Sequence, residues 1–192
     1  MELLIVIGVL GILAAGLLAA IDPFEQLKKA RDTNNRSAAI ELLQSSQRYY
    51  ATHGYLPWFK TSGVGTYVCD DTTYTGFDNI RLADTADPRP YIIVNKSGSI
   101  GHEASVATCV EDTLGADGEI KDTFMDGLAT SLYLTSGDST KTRVCFAPEG
   151  KSNRTDDSTK FILDTSAATV AEDTAGTTCP DVTLSTCLQC FE

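Results

Sequence analysis

The sequence predicts an α+β fold, in which a long N-terminal helix packs on a small antiparallel β-sheet head with disulfide-stapled loops. Three observations carry this prediction. The first 21 residues are almost continuously apolar, and apolar residues then recur at helical spacing up to residue 53. Beyond residue 59 the pattern changes to short apolar runs separated by Gly, Asp and Thr. We therefore divide the chain into an apolar helix at 1–21, its amphipathic continuation at 22–54, and a globular, β-rich, acidic head at 55–192.

The apolar helix carries one charge, the carboxylate of Glu2, and residues 3–21 are 19 residues without any. As a helix rising ~1.5 Å per residue they span roughly 28 Å, close to the ~30 Å hydrocarbon core of a bilayer. A buried carboxylate costs at least ~2.5–3.5 kcal/mol there. We interpret residues 1–21 as a transmembrane segment that stays in the membrane only until Glu2 meets a partner. A plain anchor leaves Glu2 unexplained, and a signal peptide has a positively charged start and a shorter apolar core.

A break in the helix is predicted near Pro23. Asp22 is a good capping residue and proline suits the first turn of a new helix, where its missing N–H costs nothing. Gly8, Gly11 and Gly16 each weaken the apolar helix by about 1 kcal/mol relative to alanine. We therefore predict that the stretch from Gly11 to Pro23 is where the helix loosens most readily.

The second helix is predicted from Phe24 to His53, with Gly54 as its C-cap. The two helical parts together make about 53 residues, or roughly 80 Å if straight. The Asp32–Asn35 stretch forms helix poorly. In the head, a short helix is predicted at Asp122–Thr130 and a loop at Asp164–Thr178. The predicted strands are Thr66–Cys69, Tyr91–Asn95, Ser131–Thr135, Arg143–Ala147 and Phe161–Asp164.

Charge is distributed unevenly along the chain. Of the 26 acids and 15 bases, five of each lie in residues 1–59, so residues 60–192 hold the other 21 acids and ten bases and the whole net charge of −11. An acidic head repels phosphate backbones, which require Lys and Arg contacts. We therefore expect no direct nucleic acid binding, and expect the charge to keep an extracellular surface soluble.

All six cysteines lie in the head, and an even number in an exported segment predicts disulfides. They permit 15 pairings. We predict that all six are paired, with at least one bond joining the C-terminal tail, residues 179–192, to the upstream head. A zinc site at Cys179, Cys187 and Cys190 would lack a fourth ligand at suitable spacing. The six are Cys69, Cys109, Cys145, Cys179, Cys187 and Cys190.

Other chemistry is sparse in the sequence. The two histidines have no nucleophile at a recognised spacing, no GxSxG or phosphate-binding glycine loop occurs, and we predict no enzymatic activity. Asp112, Asp117 and Glu119 are weak calcium candidates because hard cations prefer oxygen ligands. A solvated acidic loop explains them as well. The N-glycosylation triplets at Asn35, Asn95 and Asn153 arise easily by chance.

The N-terminal residues resemble a known family. A glutamate followed by an apolar ELLxVIxxxGILAA-like helix is typical of type IV pilins and of the pseudopilins of type II secretion. The resemblance is specific over about 20 residues and fades through residue ~58. The matching residues are Glu2-Leu3-Leu4-Ile5-Val6-Ile7 and Gly11-Ile12-Leu13-Ala14-Ala15.

The resemblance implies a structural subunit that polymerises through its N-terminal helix into an extracellular type IV pilus filament. Glu2, Gly11 and Pro23 would serve assembly, and no cofactor is needed. The implied partners are further copies of the chain, the bacterial inner membrane before assembly, and a leader peptidase, platform protein and assembly ATPase. A type II secretion pseudopilin and a non-polymerising, membrane-anchored binding domain remain the alternatives.

Overall fold

The computed structural model describes residues 2–20, 22–58, 87–95, 110–136, 141–167, 169–181, 183 and 185–192. Within these residues the chain is α+β, as predicted, with two N-terminal helices followed by an antiparallel sheet. The predicted strand Thr66–Cys69 lies outside the described residues.

The N-terminal helical region is divided at the Asp22-Pro23 pair. Helix α1 runs from Glu2 to Ala20 and helix α2 from Pro23 to His53. Asp22 has extended backbone angles, and its carboxylate accepts hydrogen bonds from the backbone N–H groups of Phe24 and Glu25. The predicted break is therefore found at Pro23, whereas α1 is unbroken through its glycines. Among the described residues, no helix is both long and apolar enough to cross a membrane. The transmembrane role predicted for residues 1–21 is thus not confirmed.

Helix α2 ends where the sequence predicts. Gly54 has a positive φ of 79°, and its N–H donates to the carbonyl of Tyr50 at 2.7 Å. A residue with a Cβ is strained in this left-handed conformation, which explains the glycine.

The strands form a closed antiparallel barrel in the order β1-β2-β3-β6-β4-β5, with β5 pairing back onto β1. Strands β2 and β3 make the longest ladder, from Leu132↔Phe146 to Ser136↔Thr142. A short α-helix, α3 (Lys151–Arg154), a π-helical turn (Glu111–Gly115) and a 3₁₀ turn (Met125–Gly127) connect them. The strands are β1 Arg89–Val94, β2 Leu132–Ser136, β3 Thr142–Phe146, β4 Phe161–Asp164, β5 Thr169–Glu172 and β6 Cys187–Phe191.

Two predictions for the head are corrected. The stretch Asp164–Thr178, expected to be a loop, contains β5, and the predicted helix at Asp122–Thr130 is only the 3₁₀ turn. The C-terminal tail is also held by more than its cysteines. It forms β6, which pairs with both β3 and β4, and its Leu188 is completely buried. Barrel closure supplies these contacts, and no local sequence pattern reports on them.

The core lies between α2 and the barrel. Every residue of β3 is buried. The main cluster combines Ala39, Leu42 and Tyr49 of α2 with buried side chains of β1, β2 and β3. Burial raises the pKa of the Tyr49 phenol well above its usual range. A smaller cluster around Phe161, Val170 and Leu188 fills the other side of the barrel. No residue of α1 in the described part of the chain belongs to either cluster.

Candidate assembly site

Helix α1 presents an unpartnered apolar surface. All its large apolar side chains in the described part are between 51% and 74% exposed. Beyond the helix break, Phe24 and Leu27 of α2 are also exposed, at 73% and 59%. We call the ten residues of α1 the α1 apolar surface: Leu3, Leu4, Ile5, Val6, Ile7, Val9, Leu10, Ile12, Leu13 and Leu17.

This surface is larger than a stable monomer in water leaves uncovered. The largest apolar patch on a typical monomer is roughly 300–600 Å². Burying one large aliphatic side chain completely gains roughly 1.5–3 kcal/mol. For ten side chains that are already partly shielded by the helix itself, covering the surface is worth on the order of 10 kcal/mol. The α1 apolar surface therefore requires an apolar partner.

No contact among the described residues explains the glycines of α1. Apart from the backbone of the helix itself, a Cβ built at Gly8, Gly11 or Gly16 meets no described atom within 4 Å. Each glycine nevertheless costs about 1 kcal/mol relative to alanine in a helix interior. Glycines in apolar helices let a second helix approach closely. Their presence here is consistent with helix-to-helix contact outside the subunit.

The three predicted assembly residues occupy separate places on the helical region. Glu2 is exposed in the first turn of α1, Gly11 lies in the middle of that helix, and Pro23 is the first residue of α2. At 1.5 Å per residue, Glu2 and Gly11 are roughly 14 Å apart along the axis. The subunit alone brings none of them together.

Four of the six cysteines lie in the described residues, and all four are paired. Cys145 bonds to Cys190, and Cys179 bonds to Cys187. The first bond links β3 to the C-terminal strand, which confirms the predicted bond between the tail and the upstream head. It also removes the zinc alternative, because disulfide sulfurs are not thiolate ligands. Cys69 and Cys109 lie outside the described residues.

The calcium candidates contact bases of α2. The carboxylate of Glu119 accepts a hydrogen bond from Arg48 Nε at 2.5 Å, and its carbonyl accepts one from Arg48 Nη2 at 2.7 Å. Asp117 Oδ2 lies 3.4 Å from His53 Nε2. The side chain of Asp112 is outside the described part. Nowhere in the described ranges do three His, Cys, Asp or Glu side chains form a group that could hold a metal. Asp117 and Glu119 instead join the head to the end of α2.

Asp32 is the residue that sequence reasoning missed. Its side chain is only 2% exposed, although it lies in a stretch predicted to be poor helix. Its carboxylate accepts hydrogen bonds from the backbone N–H groups of Glu149 and Gly150, at 2.7 and 2.9 Å, and from Asn153 Nδ2 at 2.7 Å. A Cβ at Gly150 would stand 3.0 Å from Asp32 Oδ2, so glycine permits this approach. The carboxylate thus attaches α2 to the start of α3.

Two further contacts strengthen the attachment. The carboxylate of Glu25 accepts the N–H of Lys151 at 3.1 Å, and that hydrogen bond holds the pKa of Glu25 below its usual value. Arg31 Nη1 donates to Glu149 Oε2 at 3.3 Å. These contacts and those of Asp32 place three side chains from about two turns of α2 against residues 149–153. The N-terminal third of α2 is therefore fixed to the head.

We expect Asp32→Ala to lower the free energy of unfolding by about 3 kcal/mol, because buried N–H groups would lose a charged acceptor. The change is measured by chemical denaturation of the full chain in detergent, followed by fluorescence of Trp58, the only tryptophan, which is 3% exposed. Asp157→Ala removes an exposed aspartate and should shift the midpoint little. Equal midpoints for both variants would contradict this role of Asp32.

A second charged cluster closes one end of the barrel. Arg143 donates to Asp87 at 3.2 Å and to Glu192 at 3.1 Å, and Arg89 donates to Glu192 at 3.3 Å. Burial alone would raise the pKa of Glu192, but the hydrogen bonds and charges of Arg143 and Arg89 outweigh it and hold the pKa below its usual value. The Arg143 guanidinium also lies 4.6 Å from the ring centre of Phe161. Both guanidinium groups are paired with carboxylates of the same chain, although Arg89 Nε and Arg143 Nε are buried without a hydrogen-bond partner in the described part of the chain.

None of the three glycosylation triplets offers a free asparagine. Asn35 and Asn95 are 1% and 7% exposed, and Asn153 donates its side-chain amide to Asp32. Attachment of a sugar to Asn35 or Asn95 would require the fold to open, and attachment to Asn153 would break its hydrogen bond to Asp32.

Comparison with known proteins adds no relative: no protein-family model, curated protein or solved structure matches the chain.

Proposed function

We propose that this chain is the structural subunit of a type IV pilus-like filament, and that it polymerises through α1. The observation that supports the proposal most strongly is the α1 apolar surface, ten large apolar side chains at least half exposed on one helix. Copies of the same helix supply the apolar partner that this surface requires, since packed α1 helices bury it against one another. The glycines allow those helices to approach closely.

The separation of roles along the chain supports the same proposal. The head builds its core from α2 and the barrel, and the two clusters include no described residue of α1. Polymerisation through α1 therefore leaves the head intact. In the filament, the α1 helices form the core and the acidic heads form a soluble coat with disulfide-linked strands.

The helix break at the Asp22-Pro23 pair has a role in this proposed assembly. Helix α2 is fixed to the head by Asp32, Glu25 and Arg31, whereas α1 lies on the other side of the break. The orientation of α1 can thus adjust at Pro23 while the head keeps its structure. Before assembly, in the same proposal, the inner membrane receives the apolar side chains of α1. A leader peptidase, a platform protein and an assembly ATPase then act on the subunit.

Glu2 sets the alignment between copies in this proposal. Its carboxylate is exposed in the subunit and would enter an apolar core in the filament, where it needs a cation. The N-terminal amine of a neighbouring copy supplies that cation. A buried pair of this kind need not add stability over an apolar substitute, but it fixes the register of the copies.

We expect Glu2→Ala to insert as well as the unchanged chain and to give almost no filaments, because the register contact is lost. The measurement is the filament fraction sheared from cells, compared with the subunit level in the membrane fraction. Glu2→Asp keeps the charge and should retain part of the yield. A normal filament yield from Glu2→Ala would contradict the proposed role of Glu2.

A further inference from the structure

The first part of α2 carries a concentration of positive charge. Residues 28–36, which we call the basic segment, contain four bases and one acid, Asp32, which is buried and bound to the head. The segment directly follows the exposed apolar residues Phe24 and Leu27. It therefore continues the surface through which the subunit is proposed to polymerise. Its bases are Lys28, Lys29, Arg31 and Arg36.

Two of these bases have partners within the subunit. Lys28 lies 3.2 Å from Glu25, and Arg31 lies 3.3 Å from Glu149, and the side chains of both bases are about half exposed at 43% and 60%. Lys29 and Arg36 differ from them. Both are exposed, and no carboxylate in the described ranges lies within 4.0 Å of either charged group. Arg36 instead lies over the ring of Phe191, 5.3 Å from its centre. Hydrogen bonds from Ser158 and, to a smaller extent, the charge of Arg36 hold the pKa of the exposed Asp156 below its usual value.

The head provides the complementary charge. Residues 60–192 contain 21 acids and ten bases. Exposed carboxylates include Asp122, Asp126 and Asp157. Heads of this charge repel one another when they are brought side by side, because like charges in water still interact within a Debye length of about 10 Å at 0.1 M salt. A filament of such heads needs cations between them.

We propose that the basic segment of one subunit docks on the acidic head of an adjacent copy, with Lys29 and Arg36 as the pairing cations. The proposal rests on the proposed polymerisation through α1, and it adds a second, ionic contact to the apolar one. Charge complementarity and continuity with the apolar surface both select a second copy of this chain as the partner. The contact offsets the repulsion between heads and helps to determine which face of one head meets the next.

The test replaces Lys29 and Arg36 together by glutamine, which keeps polar side chains of similar length. Exposed ion pairs contribute about 0.2–1 kcal/mol each, so losing two pairs should reduce the filament yield at 0.1 M salt by a factor between about two and roughly thirty. The matched control is Lys29→Arg with Arg36→Lys, which preserves both charges and should keep most of the yield. The unfolding midpoint, followed by Trp58 fluorescence, should be nearly unchanged in the charge-preserving variant. In the glutamine variant it should fall only slightly, because the contact of Arg36 with the Phe191 ring is lost.

Salt provides an independent readout. At ~1 M salt the Debye length falls to about 3 Å, so the unchanged chain and the glutamine variant should then give similar filament yields. Equal yields of the unchanged chain and the glutamine variant at 0.1 M salt would overturn the ionic contact while leaving polymerisation through α1 in place. An unchanged chain that forms no filaments would overturn both proposals.

Discussion

Ile12→Asp should abolish filament formation and leave the head folded. Ile12 is 74% exposed in the subunit, in the middle of the α1 apolar surface. In an assembled core each copy would bury a new carboxylate without a partner, at a cost of several kcal/mol per copy. Every subunit in the filament would carry this cost, so we expect the yield to fall at least roughly a hundredfold, which corresponds to about 2.8 kcal/mol.

The measurement is the quantity of filaments by electron microscopy and by immunoblot of sheared material. Ile12→Leu is the matched control and should assemble normally, because it preserves apolar volume at an exposed position. The unfolding midpoint of the Ile12→Asp head should equal that of the unchanged chain. Filaments from Ile12→Asp at normal yield would show that α1 is not the polymerising element.

Removing the Cys145–Cys190 bond should destabilise the head more than removing the Cys179–Cys187 bond. The first joins residues 45 apart in sequence and the second joins residues 8 apart. Because a longer closed loop restricts the unfolded chain more, the expected losses are about 4 and about 2.5 kcal/mol. The long-range bond also holds β6 against β3, where Cys145 and Cys190 are direct partners.

Paired alanine substitutions test the disulfides without leaving a free thiol. The free energy of unfolding of Cys145→Ala with Cys190→Ala is compared with that of Cys179→Ala with Cys187→Ala, with Trp58 fluorescence as the signal. Peptide mapping without reduction checks the pairing in the exported protein, including Cys69 and Cys109. A larger loss from the short-loop pair, or free thiols in the exported chain, would contradict this account.

The sequence predicts the parts of the fold that depend on local chemistry. Gly54 is confirmed as a C-cap, because the helix ends in a left-handed backbone conformation that favours glycine. The Asp22-Pro23 pair is confirmed as a helix start, because capping depends only on neighbouring residues. Strand β4 occupies the predicted residues, Phe161–Asp164. Apolar residues in a short run identify such a strand without knowledge of its partners.

The parts that depend on distant contacts are not predictable in this way. Strand β5 lies in a stretch rich in Ala and Thr and becomes a strand because it pairs with both β4 and β1. Asp32 is read from the sequence as a poor helix residue, yet residues 149–153, more than 115 positions later, supply its hydrogen-bond donors. For the same reason, Asp117 and Glu119 suggest a cation site in the sequence but contact His53 and Arg48 in the fold.

The α1 apolar surface is predicted in part from the sequence and in part known only from the structure. The sequence identifies residues 3–21 as continuously apolar, and the structure adds that their described side chains remain exposed and outside the head's core. In the proposed function, the α1 helices of further copies cover them. The proposed polymerisation is therefore tested on the filament itself.

The most direct measurement is electron microscopy of material sheared from the cell surface, with mass spectrometry to identify the subunit and a reconstruction of the fibre. We predict fibres built of this chain, with α1 helices packed together in the core and the acidic heads outside. Retention of the chain in the periplasm would favour a type II secretion pseudopilin. A chain that stays monomeric in the cell envelope, or fibres in which α1 lies on the outer surface, would contradict polymerisation through α1.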